Sequence, residues 1–137
     1  PGKGNQLMTL ALDRIVDFKE LPDQPFVSYK GVDFEHYFDD LIGVTKTEKD
    51  RAQKVILQID KLNAPYVLTK PLHTSQQILN EDESGVLIRI DVVLNFELER
   101  EILGFGENMK VIAPRLLVKK IERRLKAAAG KYENLEE

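Results

Sequence analysis

The chain has 137 residues, of which 42% are hydrophobic and 31% charged, which suits one globular domain or one small domain with a piece of another. It has no cysteine and no apolar run of membrane-spanning length, which excludes disulfide and thiolate chemistry and favours a cytoplasmic protein without a membrane partner. The net charge of −3 is unevenly placed, because residues 115–126 carry six bases and one acid, so a uniformly basic nucleic-acid surface is excluded.

The first part of the chain predicts one strand and one short helix. Residues 7–18 alternate apolar and polar only partly, which predicts a strand whose pairing partner is missing. Because the chain also begins without Met, we interpret it as a fragment of a larger protein. Residues 33–42 have apolar side chains at helical spacing, with Asp33 as N-cap and Gly43 as terminator, which predicts a short helix. Residues 44–53 are polar and predict a linker.

The second part is more regular and predicts seven elements. In order they are a strand (54–60), a short helix (63–70), two hairpin strands (75–79 and 85–95), a helix (96–103), a strand (110–113) and a last helix opened by Pro114. The first six form a β-α-β-β-α-β series, which predicts an α+β fold with a ferredoxin-like antiparallel sheet, helices on one face and an additional C-terminal helix. On that last helix an apolar stripe is formed by Leu117, Ile121, Leu125 and Ala128.

Alternation along the hairpin predicts which side chains are buried. Val86, Ile88, Ile90, Val92 and Leu94 share one face of the second hairpin strand, and Val55, Leu57 and Ile59 share one face of the first strand. The opposite face would carry Leu87, Arg89, Asp91 and Val93, a mixture of apolar and charged groups that is typical of interfaces.

Three groups of polar residues were weighed as catalytic or metal sites, and none is predicted to be one. His73 and Ser75 could form a nucleophile and base, but no third member is evident, so a helix-to-strand corner is favoured. His36 and Asp40 stand at helical i, i+4 spacing, yet a metal needs further ligands. Glu97, Glu99 and Glu101 suggest paired carboxylates, although a solvated helix face is favoured. We therefore expect no catalytic residue, no metal and no cofactor.

The basic helix permits two interpretations. Lys119, Lys120, Arg123 and Arg124 could bind the phosphates of an anionic ligand. They could equally form the solvated face opposite the apolar stripe, where positive charge toward the C-terminus suits the helix dipole. The sequence alone leaves both interpretations open.

Two segments and one strand carry a resemblance to a known family. They are Pro71-Leu-His-Thr-Ser-Gln76, then Phe105-Gly106 followed by Val111 to Pro114, and Leu10-Ala-Leu-Asp-Arg-Ile15. In order and spacing they resemble bacterial WYL-domain transcriptional regulators. The resemblance divides the chain into residues 1–49, the end of a WYL domain with a linker, and residues 50–137, the WYL C-terminal extension or WCX domain. The Trp-Tyr-Leu signature and the helix-turn-helix of the family are not in this sequence.

The resemblance implies a function. Such regulators look like homodimers that sense a ligand, in some members a nucleotide or nucleic acid, and bind DNA through an N-terminal domain. The chain would then be a ligand-sensing and dimerisation region and not an enzyme, with Arg14 as a further basic residue of the ligand surface. Two alternatives were weighed: a stand-alone nucleic-acid-binding ferredoxin-like module and a small metabolic enzyme.

Overall fold

The computed structural model describes residues 7, 9–28 and 30–133. Its strands and helices are β1 (Gln53–Asp60), α1 (Ala64–Thr69), β2 (Gln77–Asp82), β3 (Gly85–Val92), α2 (Phe96–Gly104), β4 (Met109–Ala113) and α3 (Arg115–Ala129). Two 3-10 turns complete them, at Leu12–Arg14 and Gly106–Asn108. None of the helices in these described ranges is long and apolar enough to cross a membrane.

The four strands form one antiparallel sheet in the order β2-β3-β1-β4. β1 and β3 pair along their whole length, from Gln53 opposite Val92 to Asp60 opposite Gly85. Each helical connection skips one strand position: α1 leads from β1 past β3 to β2, and α2 leads from β3 past β1 to β4. The predicted α+β class and four-stranded antiparallel sheet are confirmed.

One face of the sheet is covered by all three helices. Val55, Leu57 and Ile59 of β1 have no exposed surface, as the alternation predicted. They pack in one cluster with the inner residues of β3 and with apolar residues of every helix, including Val67, Leu98 and Leu117. The core therefore lies between the sheet and the helices, and none of the helices that the structure describes lies over the other sheet face.

The β2–β3 hairpin is tighter than predicted. β2 continues to Asp82, so the turn contains only Glu83 and Ser84 and not the five residues 80–84. The carboxylate of Asp82 accepts the backbone N–H of Ser84 at 2.8 Å, which closes the turn. Gly85 then adopts φ +144°, where a Cβ would collide with the carbonyl oxygen of Ile59.

The expected WYL strand at residues 7–18 is wrong for the residues that the structure describes there. Leu12–Arg14 form a single 3-10 turn, and their neighbours make no strand pairing. A strand needs a partner for its N–H and C=O groups, and no described strand lies beside this segment. Its apolar side chains are consequently open to solvent, with Leu12 82% and Val16 99% exposed.

The expected short helix at residues 33–42 is also wrong. The segment is a series of turns closed by i to i+3 hydrogen bonds, such as the one from the N–H of His36 to the carbonyl of Asp33. The Asp33 carboxylate accepts the N–H of Glu35 at 3.1 Å, a bond typical of a helix N-cap, yet the bonds that follow it are of the i to i+3 kind. Helical spacing of the aromatic residues was therefore not sufficient to predict an α-helix in this segment.

Residues 40–46, called the strap below, follow these turns and are bonded to the segment between β3 and α2. The N–H of Val93 donates to the carbonyl of Asp40 at 2.9 Å. The side-chain amide of Asn95 donates to the carbonyls of Ile42 (2.8 Å) and Thr45 (3.2 Å). Val93 is buried as a result, so its predicted place on the open sheet face is wrong. The domain boundary at residues 49 and 50 stays a prediction.

Candidate functional site

His73, Ser75 and Gln76 form the corner that joins α1 to β2. The Gln76 side chain accepts the N–H of Leu72 at 3.0 Å and donates to the carbonyl of Val67 at 2.7 Å. The N–H of Ser75 donates to Nδ1 of His73 at 3.1 Å, so this nitrogen is an acceptor. The Ser75 hydroxyl, 2.8 Å from the same nitrogen, is its second donor. These polar side chains satisfy backbone groups where the chain changes direction.

The Ser75 hydroxyl also replaces a missing bond of the sheet. Gln77 pairs with Arg89, so the same register places Ser75 opposite Asp91, just beyond the start of β2. There the N–H of Asp91 donates to Ser75 Oγ at 2.8 Å, and the hydroxyl lies 3.4 Å from the Asp91 carbonyl. No acidic side chain contacts His73 in the described ranges, so the third group of a catalytic triad is not assembled here. The geometry supports the structural interpretation of this motif.

The three glutamates of α2 have different surroundings and do not form a carboxylate pair. Glu97 faces the strap, where its Oε1 accepts the Thr45 hydroxyl at 2.7 Å and the N–H of Val44 at 3.3 Å. Glu99 faces α3, and Glu101 borders a cleft between α1 and α2. A shared site for acid-base chemistry is therefore not assembled from these residues.

The pKa of Glu97 is set by two opposing causes. Burial, the largest single effect, raises the pKa, but hydrogen bonds from the Thr45 hydroxyl and from backbone N–H groups together outweigh it and hold the pKa below the usual 4.5. Its Oε2 is buried without a hydrogen-bond partner. Glu97 is therefore a charged group that depends on the strap for its stabilisation.

His36 and Asp40, which stand at metal-ligand spacing but were not predicted to bind a metal, have separate partners. His36 Nδ1 lies 2.7 Å from Asp39 Oδ2, whereas Asp40 forms an ion pair with Lys46 at 2.7 Å. Within residues 9–28 and 30–133, no three side chains of His, Asp or Glu lie close enough together to hold a metal ion.

Two of the predicted ligand-binding residues, Lys120 and Arg124, are engaged at the junction of α2 and α3. Lys120 Nζ lies 3.2 Å from Oε1 of Glu99, and Arg124 Nη1 lies 2.9 Å from its Oε2. The guanidinium groups of Arg124 and Arg100 each lie 5.7 Å from the centre of the Phe96 ring. The sequence pattern did not indicate Glu99 as their partner, because the pair spans two helices.

The other two predicted residues of α3 face solvent. Lys119 and Arg123 are exposed, and neither has an ion-pair partner among the described residues. Arg115, four residues before Lys119, extends the same exposed row and was not among the predicted site residues. The sequence could have indicated Arg115, because it is the first of the six bases in residues 115–126. We call Arg115, Lys119, Lys120, Arg123 and Arg124 the basic face.

Arg14 is not brought to this face by any described contact. It lies exposed in the Leu12–Arg14 turn, and only its backbone N–H makes a described bond, to the carbonyl of Ala11. Its role in ligand binding stays a prediction.

The apolar stripe of α3 is only half covered. Leu117 is fully buried and Ile121 is 6% exposed, whereas Leu125 is 41% exposed. Beside the uncovered half, a groove of ≈ 440 Å³ lies between β4 and α3, with Met109 and Val111 in its wall. The predicted stripe is therefore confirmed for its first two turns and open in its second half.

The open face of the sheet is mixed, as predicted, although its composition differs. Leu87 of β3 and Ile56 of β1 are partly exposed there, and Ile112 of β4 is 44% exposed. Between them Arg89 forms a two-bond ion pair with Asp91, with N–O distances of 3.0 and 2.9 Å. Lys54, Gln58 and Lys110 share this face, so it combines apolar side chains, a charged pair and two further bases.

The family comparison covers two of the three segments noted in the sequence, Pro71 to Gln76 and Phe105 to Pro114, whereas residues 10–15 lie outside it. The family model of the WCX domain matches residues 51–129, which is more than half of the chain. The matched range includes the four described strands and all of α1, α2 and α3. A comparison with curated proteins found no match. The WCX domain is the C-terminal extension of WYL-type transcriptional regulators. The chain therefore belongs to the WCX-domain family and is associated with WYL-type regulators.

Proposed function

We propose that this chain is the sensing and assembly region of a bacterial, cytoplasmic WYL-type transcriptional regulator. In this role it forms a homodimer and couples the binding of an effector to a DNA-binding domain that precedes it. The observation that carries the proposal is the WCX match over residues 51–129. The element order and the sheet order β2-β3-β1-β4 support classing this unit as ferredoxin-like.

The strap supports the coupling part of the proposal. It ties the segment before the WCX match to Asn95 and Glu97 at the start of α2, through bonds with the carbonyls of Ile42 and Thr45 and the Thr45 hydroxyl. A displacement of the region before residue 40 would therefore be transmitted to α2 through these hydrogen bonds.

The open sheet face is the surface that we propose for dimerisation. Leu87, Ile56 and Ile112 give it an apolar centre, while Lys54 and Lys110 add positive charge beside the paired Arg89 and Asp91. An isologous contact through this face would form a two-fold dimer, the commonest oligomer.

Sedimentation of the chain over a range of concentrations tests dimerisation. We expect a dimer, and we expect Leu87→Asp to dissociate it, because a carboxylate would be placed in the apolar centre. The matched control is Leu62→Asp, since Leu62 is 81% exposed and lies in the turn after β1. A wild-type chain that stays monomeric at every accessible concentration would contradict the dimer. Equal dimerisation of both variants would move the interface to another surface.

For the effector we propose an anionic ligand, such as a nucleotide or nucleic acid, on the basic face. Lys119, Arg123 and Arg115 are exposed cations there without an ion-pair partner among the described residues, and the rest of the chain is acidic. The test is fluorescence titration of a short labelled oligothymidylate at two salt concentrations. The double substitution of Lys119 and Arg123 by Gln should weaken binding and reduce its salt dependence. The control is Lys61→Gln, in the turn after β1, which should change neither.

A stand-alone RNA-recognition module is not supported by the sheet. That mode stacks bases on aromatic residues of the strands. None of the residues of β1, β2, β3 or β4 is aromatic. The open face would therefore lack a stacking platform, and the regulatory proposal is preferred.

A further inference from the structure

We infer that Glu99 is a built-in counter-ion that occupies an anion site at the junction of α2 and α3, and that a phosphate-bearing ligand binds by displacing it. This inference rests on the proposed anionic effector and adds how access to two of the basic residues is controlled. A phosphate would meet the same donors that Glu99 now holds, the Lys120 ammonium and the Arg124 guanidinium.

The geometry of the three charged groups supports an anion site. Each oxygen of the Glu99 carboxylate accepts from a different cation, at 3.2 Å from Lys120 and 2.9 Å from Arg124. The glutamate side chain is 13% exposed, whereas Lys120 is 38% and Arg124 31% exposed. The carboxylate thus lies beneath two cations whose outer sides still face water.

The carboxylate does not exhaust the donors that surround it. An ammonium has three N–H donors and a guanidinium has five. Lys120 and Arg124 each make one hydrogen bond to the Glu99 carboxylate, and the single negative charge of that carboxylate faces two positive charges. Donors and charge therefore remain for an incoming oxyanion.

Phe96 fixes the direction of the arginine. Phe96 is 55% exposed, and its ring contacts two guanidinium groups. Those of Arg124 and Arg100 each lie 5.7 Å from the ring centre. Such contacts restrict a long side chain that would otherwise sample many rotamers. Arg124 is consequently pre-oriented at the junction before any ligand arrives.

The charge pattern of α3 is unfavourable for the helix alone. Arg115, Lys119 and Arg123 repeat at i, i+4, as do Lys120 and Arg124, and like charges at this spacing destabilise a helix. A helix that needed only to be soluble would alternate acids and bases along its exposed side. Glu99, on another helix, is the described acid that offsets the second row, whereas Glu122 pairs with Lys126.

The decisive comparison is Glu99→Gln against Glu101→Gln. Both remove one negative charge from α2, but Glu101 has no described cation partner. Titration with oligothymidylate and with inorganic pyrophosphate should show about tenfold tighter binding for Glu99→Gln, since releasing two cations from one charge-assisted pair is worth roughly 1.4 kcal/mol. Glu101→Gln should change affinity less than twofold. Adding Arg124→Gln to Glu99→Gln should remove the gain.

The outcomes separate this inference from the proposed function. Equal affinities for the two Gln variants, or weaker binding by Glu99→Gln, would overturn the counter-ion role and make Glu99 a plain link between helices. If wild type binds through Lys119 and Arg123 while Glu99→Gln shows no gain, the inference fails and the proposed effector surface stands. If neither wild type nor Glu99→Gln binds either anion, both fail. Thermal melting of each variant confirms that the compared proteins are folded.

Discussion

The four-stranded sheet with α1, α2 and α3, here called the sheet unit, and the strap are stabilised by different interactions. The sheet unit buries fully apolar side chains, such as Leu57, Ile88 and Leu98, which have no exposed surface. The strap buries Leu41, packs Ile42 partly against the core and otherwise relies on hydrogen bonds to Asn95 and Glu97. Apolar burial contributes more per residue than a hydrogen bond that replaces one to water. The comparison predicts that the strap opens under conditions in which the sheet stays folded.

Leu57→Ala should have the largest effect, because it opens a cavity at the centre of β1. We expect a loss of about 3 kcal/mol in the free energy of unfolding. Urea denaturation followed by circular dichroism measures it. Ile56→Ala is the matched control, since Ile56 lies next in the strand on the open face, and it should cost clearly less. Similar losses for both would mean that the two faces of the sheet are equally packed.

The contrast between sheet and strap also separates what sequence patterns predicted from what they missed. The alternation of Val55, Leu57 and Ile59 predicted the inner face, because period-two burial follows directly from strand geometry. Residues 40–42 of the strap were predicted to end a short helix and residues 44–46 to begin a polar linker. The strap was missed because its bonds reach Asn95 and Glu97, some 50 residues later, and leave no periodic pattern.

The candidate site shows the same limit. The bases of α3 were visible in the sequence, yet their division into a solvent row and a row paired with Glu99 depends on how α2 packs against α3. The His73 and Ser75 corner was predicted, because both neighbours lie within the same short segment. Local contacts were thus predictable, and contacts between distant segments were not.

Asn95→Ala should have the second largest effect and should reach both regions. The Asn95 Oδ1 accepts the N–H of Leu98 at 2.8 Å, which caps α2, while its amide holds two strap carbonyls. We expect a loss of about 2 kcal/mol, since a cap and buried hydrogen bonds are removed together.

Asn95→Asp separates these two roles in the same measurement. It keeps the capping oxygen and replaces the amide donor, so α2 should keep its protection while the strap loses contact. Hydrogen exchange at Leu98 and Val44 reports on the two regions. Loss of protection at Leu98 in the Asp variant would show that cap and strap are one cooperative unit.

Ser75→Ala should cost about 1 kcal/mol, because the Asp91 N–H would lose its acceptor in a partly buried position. The loss should be confined to the junction of β2 and β3, and Thr74→Ala, an exposed neighbour, is the control. Urea midpoints of the two variants give the comparison. A Ser75→Ala variant as stable as Thr74→Ala would mean that water replaces the hydroxyl without cost.

Acid should open the strap through Glu97, and this is the smallest expected effect. The folded state holds the pKa of Glu97 below the usual 4.5, so the folded state favours the charged form more than the unfolded chain does. Its contribution to stability is therefore fully present above about pH 4.5 and is lost as pH falls through the lower folded pKa. The protection factor of the Val44 N–H, which donates to Glu97, should fall over that range before those of the sheet amides do. In Glu97→Gln, which does not ionise, the pH dependence at Val44 should flatten. If it stays as steep, another carboxylate controls the strap: Asp40 pairs with Lys46 within it and is the next group to substitute.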